Sequence, residues 1–167
     1  MKMNHSELEN ILKNHHREAY LWARQCCGFE DELAKDVLQI CYLKILEGKA
    51  RLQQVEKVKP WLFSVIRFTA IDELRKKGNW VALQENYDLE DEPTENEEEL
   101  DYQKLLMQLS PMQREVMLMV FYHQLTIVES AEVLQISLGS ARTHYDRGKK
   151  RLKELIVKSQ NLEYDGK

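Results

Sequence analysis

Glycine and proline are scarce, six and three in 167 residues. Tight turns lean on both, so their scarcity argues for an all-helical chain. No apolar run approaches the roughly 18 residues of a membrane helix, and no basic-then-apolar N-terminus suggests a signal peptide. A cytoplasmic location without membrane insertion is therefore expected. The three cysteines, Cys26, Cys27 and Cys41, are odd in number with two adjacent, which suits a reducing compartment and not a disulfide framework. Together with His15 and His16 they fit no Cys-x-x-Cys or His-x-x-x-His spacing, so no metal site is expected and buried thiols acting as small hydrophobes are the better account. Paired carboxylates and a Walker-type glycine-rich loop are also missing, which argues against a nucleic-acid enzyme and implies no cofactor.

Basic residues are absent from one long stretch. Residues 80–101 carry none against 10 acids, whereas residues 1–79 carry 14 basic and 11 acidic side chains and residues 102–167 carry 10 and 7. The net charge of −4 thus conceals two mildly basic units and an acidic tether. With Pro93 inside it and almost no apolar period, the tether reads as flexible or extended by self-repulsion. It is either a passive spacer or the occupant of a positively charged channel.

What is present is sharpest between Leu125 and Leu152. Thr126 and Glu129 have capping-box spacing, and Ile127, Ala131 and Leu134 repeat as one helical face. Gln135 and Ile136 form a short turn, Ser137 can cap a second helix opened by Leu138 and Gly139, and its inward face is Ala141, Tyr145 and Leu152. Two helices joined so tightly must cross steeply, as in a helix-turn-helix. Ser140, Arg142, Thr143, His144 and Arg147 then face outward, and six basic residues against one acid lie between Arg142 and Lys153. Arginine pairs bidentately with guanine, hydroxyls bond bases or phosphates, and lysine neutralises the backbone. A helix macrodipole alone asks for one or two cations in the last turn. Asp146 would be repelled at the groove unless it pairs with Lys149 or Lys150.

Upstream, a first helix is expected from Ser6, with Glu9 completing a capping box, to about Cys27. Its buried stripe is Leu8, Ile11, Leu12, His15, Ala19, Trp22, Ala23 and Cys26. Gly28 closes it, and a second helix spans about Asp31 to Glu47, burying Leu33, Val37, Ile40 or Cys41, and Ile45 or the stem of Lys44. Its other face shows Asp36, Gln39, Tyr42, Leu43 and Leu46, too apolar for solvent alone. Either it docks a partner or the helix is buried on two sides. A third helix starts with Pro60 at its first position and ends in Arg75, Lys76 and Lys77, burying Trp61, Leu62, Val65, Ile66, Thr69 and Ala70. Trp61, Phe63, Phe68 and Trp80 lie among Arg67, Arg75, Lys76 and Lys77. Rings interleaved with cations suit unpaired bases, although aromatics at helical spacing also serve as core. Ser110-Pro111 opens a further helix with Val116, Met117, Met119, Val120 and Phe121 apolar nearly all round, and a polar tail follows Lys158.

These residues, in this order, resemble the extracytoplasmic-function (ECF) sigma factors, small bacterial transcription initiation subunits that retain only regions 2 and 4. The resemblance rests on Asp36-x-x-Gln39-x-x-Tyr42, Pro60-Trp61-Leu62-Phe63, Ala70-Ile71-Asp72-Glu73-Leu74-Arg75, Leu109-Ser110-Pro111-x-Gln113-Arg114-Glu115-Val116 and the helix-turn-helix. It implies a small helical bundle of three or four helices over residues 1–79, an acidic linker over 80–101, a helix-turn-helix domain over 102–158 and a polar tail over 159–167. Asp36, Gln39, Tyr42 and Leu43 look like the surface that docks on the β′ clamp helices of core RNA polymerase, whose β flap is the second contact. Trp61, Arg67, Phe68, Asp72, Arg75 and Lys76, with Thr69 among them, resemble the element that reads and opens the −10 region, and Gly48 to Lys59 the loop that captures a flipped base. Ser140, Arg142, Thr143, His144, Arg147 and Lys150 match positions that engage the −35 element. An anti-sigma factor is a common family partner. The chain departs from the family pattern at Ile40, Phe68, Gln135 and Asp146. A stand-alone helix-turn-helix regulator would bind paired half-sites as a dimer, and the sequence offers no obvious zipper for one.

Overall fold

The structure, a computed structural model, describes residues 4–52, 57–78 and 97–165, with backbone only for 97–101 and 161–165. Trp80 and residues 80–96 of the tether lie outside the described residues, as do 53–56 of the loop before the third expected helix. All described elements are helices and no strand occurs among them. They fall into two compact units, Met1–Asn86 and Tyr87–Lys167.

The first unit opens with two helices, α1 (His5–Asn14) and α2 (His16–Cys26), where one was expected. His15 breaks them at φ −104° and ψ 6°. The break is one residue deep, since His15 N–H still reaches the Ile11 carbonyl at 3.1 Å and Ala19 N–H the His15 carbonyl at 2.8 Å. An apolar stripe that keeps phase across such a kink cannot reveal it. The capping box is Asn4 and Glu7, not Ser6 and Glu9: Asn4 accepts from Glu7 N–H at 2.8 Å and Glu7 accepts from Asn4 N–H at 3.1 Å. Both pairs have the right spacing, and the upstream one satisfies the N-terminal amides of a longer helix. Glu9 instead lies 3.3 Å from His5.

Helix α3 (Asp31–Leu46) buries Leu33, Ala34, Val37, Leu38, Cys41 and Ile45, and α4 (Val58–Lys76) buries Pro60, Leu62, Phe63, Ile66, Thr69, Ala70 and Leu74. Pro60 is the third helical residue instead of the first, tolerated because amides of the opening turn have no partner within the helix. Helices α2, α3 and α4 pack mutually around Trp22, whose indole stacks on Phe63 at 5.1 Å and donates from Nε1 to the Phe63 carbonyl at 3.0 Å. Burial pushes the thiols of Cys27 and Cys41 up to about 12. Cys26 is half-buried, and no cluster of three metal-ligating side chains occurs among the described residues.

The second unit begins with α5 (Glu97–Met107), so residues 97–101, read above as tether, are helical. Helix α6 (Pro111–Met117) starts as its sequence demands, with Pro111 in the first turn and the Ser110 hydroxyl accepting from Gln113 N–H at 3.4 Å. It then widens into a π-type turn over Leu118–Tyr122. Within that turn Phe121 and Tyr122 are 57% and 55% exposed, although Phe121 was expected in the apolar band. Helix α7 (Ile127–Leu134) and α8 (Leu138–Asp165) complete the unit, the latter running straight through the residues read as a polar tail. Leu109, Met117 and Leu155 centre the core, with Leu105, Leu106, Tyr145 and Leu152 packed against them.

Candidate nucleic-acid interface and docking face

The helix-turn-helix is built locally, residue by residue. Thr126 and Glu129 cap α7 reciprocally at 3.0 Å and 2.9 Å. Gln135 ends it in the left-handed conformation, φ 57° and ψ 44°, and only Gln135, Ile136 and Ser137 separate it from α8. Ser137 caps α8, its hydroxyl accepting from Ser140 N–H at 3.1 Å. Ala141 is fully buried, and Gly148 is buried where a β-carbon would meet Met117 Cγ at 3.0 Å and the Gln113 carbonyl at 3.3 Å. Gly148 therefore sets how closely α8 approaches α6, a role the pattern of large apolar residues could not disclose.

With that face fixed, the opposite side of α8 carries Thr143, Asp146, Arg147 and Lys150, all exposed. Ser140 and Arg142 are exposed beside them, whereas His144 is half-buried at the edge of the packed face. Thr143 donates its hydroxyl hydrogen to the Gly139 carbonyl at 3.0 Å. Asp146 pairs with neither Lys149 nor Lys150; no ion pair of Asp146 forms among the described residues.

In the first unit, Phe68, Asp72, Arg75 and Lys76 are exposed along one side of α4, and Trp61 is half-buried on the same stripe. Arg67 is half-buried and, at about 100° per residue, set to one flank of it. Two expected members belong to the interior. Phe63 is the stacking partner of Trp22, and Thr69 is fully buried, donating to the Val65 carbonyl at 2.7 Å and accepting from Lys44 at 3.4 Å.

On α3, Asp36, Gln39 and Leu43 are exposed, Leu43 at 52%, so the face is open and not doubly buried. Tyr42 is half-buried, its hydroxyl 2.9 Å from Nδ1 of His16, and burial pushes its pKa up to about 12. Asp36 lies 3.9 Å from Nζ of Lys77, just past α4. His16 and Lys77 border this face through contacts distant in sequence, which no periodicity signals.

The family description Sigma-70 region 2 matches residues 11–79, and Sigma-70, region 4 matches residues 99–152. The chain belongs to the sigma-70 family. It lies in the ECF group of that family and is a transcription initiation factor that directs RNA polymerase to promoters. This sigma factor is 25% identical over 150 residues to the ECF RNA polymerase sigma factor SigM of Mycobacterium tuberculosis, covering 89% of this chain and 76% of the relative. It is 26% identical over 140 residues to RNA polymerase sigma factor SigZ of Bacillus subtilis, covering 81% and 80%. Its fold is similar to that of the sigma factor RpoE from Bartonella quintana, solved in complex with the anti-sigma factor NepR, with TM-score 0.75, 20% identity and coverage of 90% and 97%. Region 2 of the family corresponds to the helices around Trp22, and region 4 contains the helix-turn-helix. Among the described residues no helix is long and apolar enough to cross a membrane.

Proposed function

We propose that this sigma factor divides promoter recognition between its two units. The observation that carries the reading is the exposed face of α8, where Arg142, Thr143, Arg147 and Lys150 stand out from a capped and tightly packed helix-turn-helix. That face enters the major groove of the −35 element, with Ser140 and His144 at its edges. Phe68 and Trp61 supply rings, and Arg67, Arg75 and Lys76 cations, to a −10 segment whose strands separate, with Asp72 on the same stripe. Asp36, Gln39, Tyr42 and Leu43 dock α3 on the β′ clamp helices, and the second unit meets the β flap. The acidic linker occupies a positively charged path in the polymerase. An anti-sigma factor is a further partner in this reading, supported by the similar fold of RpoE bound to NepR. The chain supplies recognition, not catalysis, and acts in the cytoplasm.

Run-off transcription with purified core polymerase on a library of promoter fragments tests this. Transcripts that depend on the added protein and share upstream sequences are expected. Failure to bind core at all would instead favour a stand-alone regulator.

A further inference from the structure

Asp146 is the one acid between Arg142 and Lys153, and a surface ion pair is the usual fate of such a residue. Arg142 precedes it by four residues and Lys150 follows by four, the separation at which helical side chains meet. Yet the carboxylate is exposed and forms no ion pair among the described residues. It is also central, because Ala141, Tyr145, Gly148 and Leu152 define the packed side of α8 and Asp146 lies opposite them with Thr143, Arg147 and Lys150. In DNA it would meet phosphate repulsion, which those flanking cations offset, and base edges.

A carboxylate has only acceptors to offer. In the major groove guanine and thymine present acceptors, N7 with O6 and O4, and repel it. Adenine offers its N6 amino group beside the N7 acceptor, while cytosine offers an N4 amino donor alone. We propose that Asp146 is a specificity-determining residue that selects cytosine at one position of the −35 element by accepting a hydrogen bond from N4. The inference rests on the reading of α8 as the −35 helix and adds the base that this chain demands.

The test is transcription by reconstituted holoenzyme from promoters randomised across the −35 element, with the selected sequences read out. The wild-type protein should enrich cytosine at one position by about tenfold over the other bases. Asp146→Ala should erase that preference and leave the other −35 positions as they were. Asp146→Asn should move the preference to adenine, since an amide can donate to N7 while accepting from N6. Uniformly stronger transcription from all sequences with Asp146→Ala, with no change at any single position, would show a merely repulsive charge and overturn the proposal. If the wild-type holoenzyme selects no −35 sequence at all, it is the −35 reading of α8 that fails; selection without cytosine at any position sinks only the role of Asp146.

Discussion

Gln135 occupies a backbone region that costs an L-residue about 1–2 kcal/mol and that glycine enters freely. Its side chain is exposed, and the cap bonds that hold this conformation, Gln135 N–H to the Glu132 carbonyl at 3.2 Å and Ile136 N–H to the Ala131 carbonyl at 3.1 Å, are backbone bonds that glycine would keep. Gln135→Gly should stabilise the protein by about 0.5–1 kcal/mol, read as a higher urea midpoint with unchanged slope. A second local contact lies where α2 meets α3. Tyr20 donates its hydroxyl hydrogen to Asp31 at 2.7 Å, and Arg24 Nε reaches the same oxygen at 2.7 Å. The Tyr20 hydrogen bond, with the Arg24 charge adding to it, holds the Asp31 carboxyl below its usual range. A lowered carboxylate pKa gives stability that is present above the unfolded value of about 4 and is lost as pH falls through the folded value. Asp31 is 57% exposed, so Tyr20→Phe should cost only about 0.5 kcal/mol at pH 7. The difference from wild type should shrink as the pH of the denaturation is taken below 4. At the proposed −35 face, Arg142→Ala should relax preference at one −35 position by about 1–3 kcal/mol if the guanidinium grips a guanine. Equal weakening on every sequence would mark Arg142 as a phosphate contact.

Helices α6 and α8 meet at Gly148, and two effects oppose each other there. Alanine is the better helix former by about 1 kcal/mol, but its β-carbon would lie 3.2 Å from Gln113 Cβ and 3.3 Å from the Gln113 carbonyl, a backbone atom that cannot swing aside. Overpacking of this kind costs about 1–3 kcal/mol. Gly148→Ala should therefore destabilise the protein by about 1 kcal/mol on balance, and Gly148→Leu by more, in thermal melts followed by ellipticity. The same junction explains which elements were legible in the sequence. Three caps that act within four residues, Ser110-Pro111, Thr126 with Glu129 and Ser137, could be read directly, whereas Ser6 with Glu9 had the right spacing but Asn4 with Glu7 caps α1. The kink at His15 and the widened turn at Leu118 could not be read, because both preserve apolar character while changing backbone geometry. Close approach through a glycine leaves no residue to notice. The aromatic and cationic run of α4 was half legible: its composition cannot say which ring turns inward, and the Trp22 stack claimed Phe63 while Phe68 stayed out.

Across the whole molecule the charge is partitioned, and the acidic stretch should shape behaviour before any polymerase is met. Ten carboxylates in residues 80–101, next in sequence to a basic unit, lower the positive field of the chain. The free full-length chain should bind promoter duplex weakly and with little sequence preference, and the holoenzyme specifically. Replacing Glu90, Asp91 and Glu92 by their amides should strengthen binding by the free chain at low salt, in fluorescence anisotropy with labelled DNA. The gain should fade as the screening length drops to about 3 Å near 1 M salt; an unchanged affinity at low salt would count against the linker's influence. One further property follows from the burial of Trp22. Every tryptophan of the chain, Trp22, Trp61 and Trp80, falls within Met1–Asn86, and Tyr87–Lys167 has none. Tryptophan emission, excited beyond the tyrosine absorption band, is thus a private optical channel for the first unit, while far-ultraviolet ellipticity sums over both. Emission and ellipticity that part company during a urea titration would report two separate unfolding events in one chain, with no label attached.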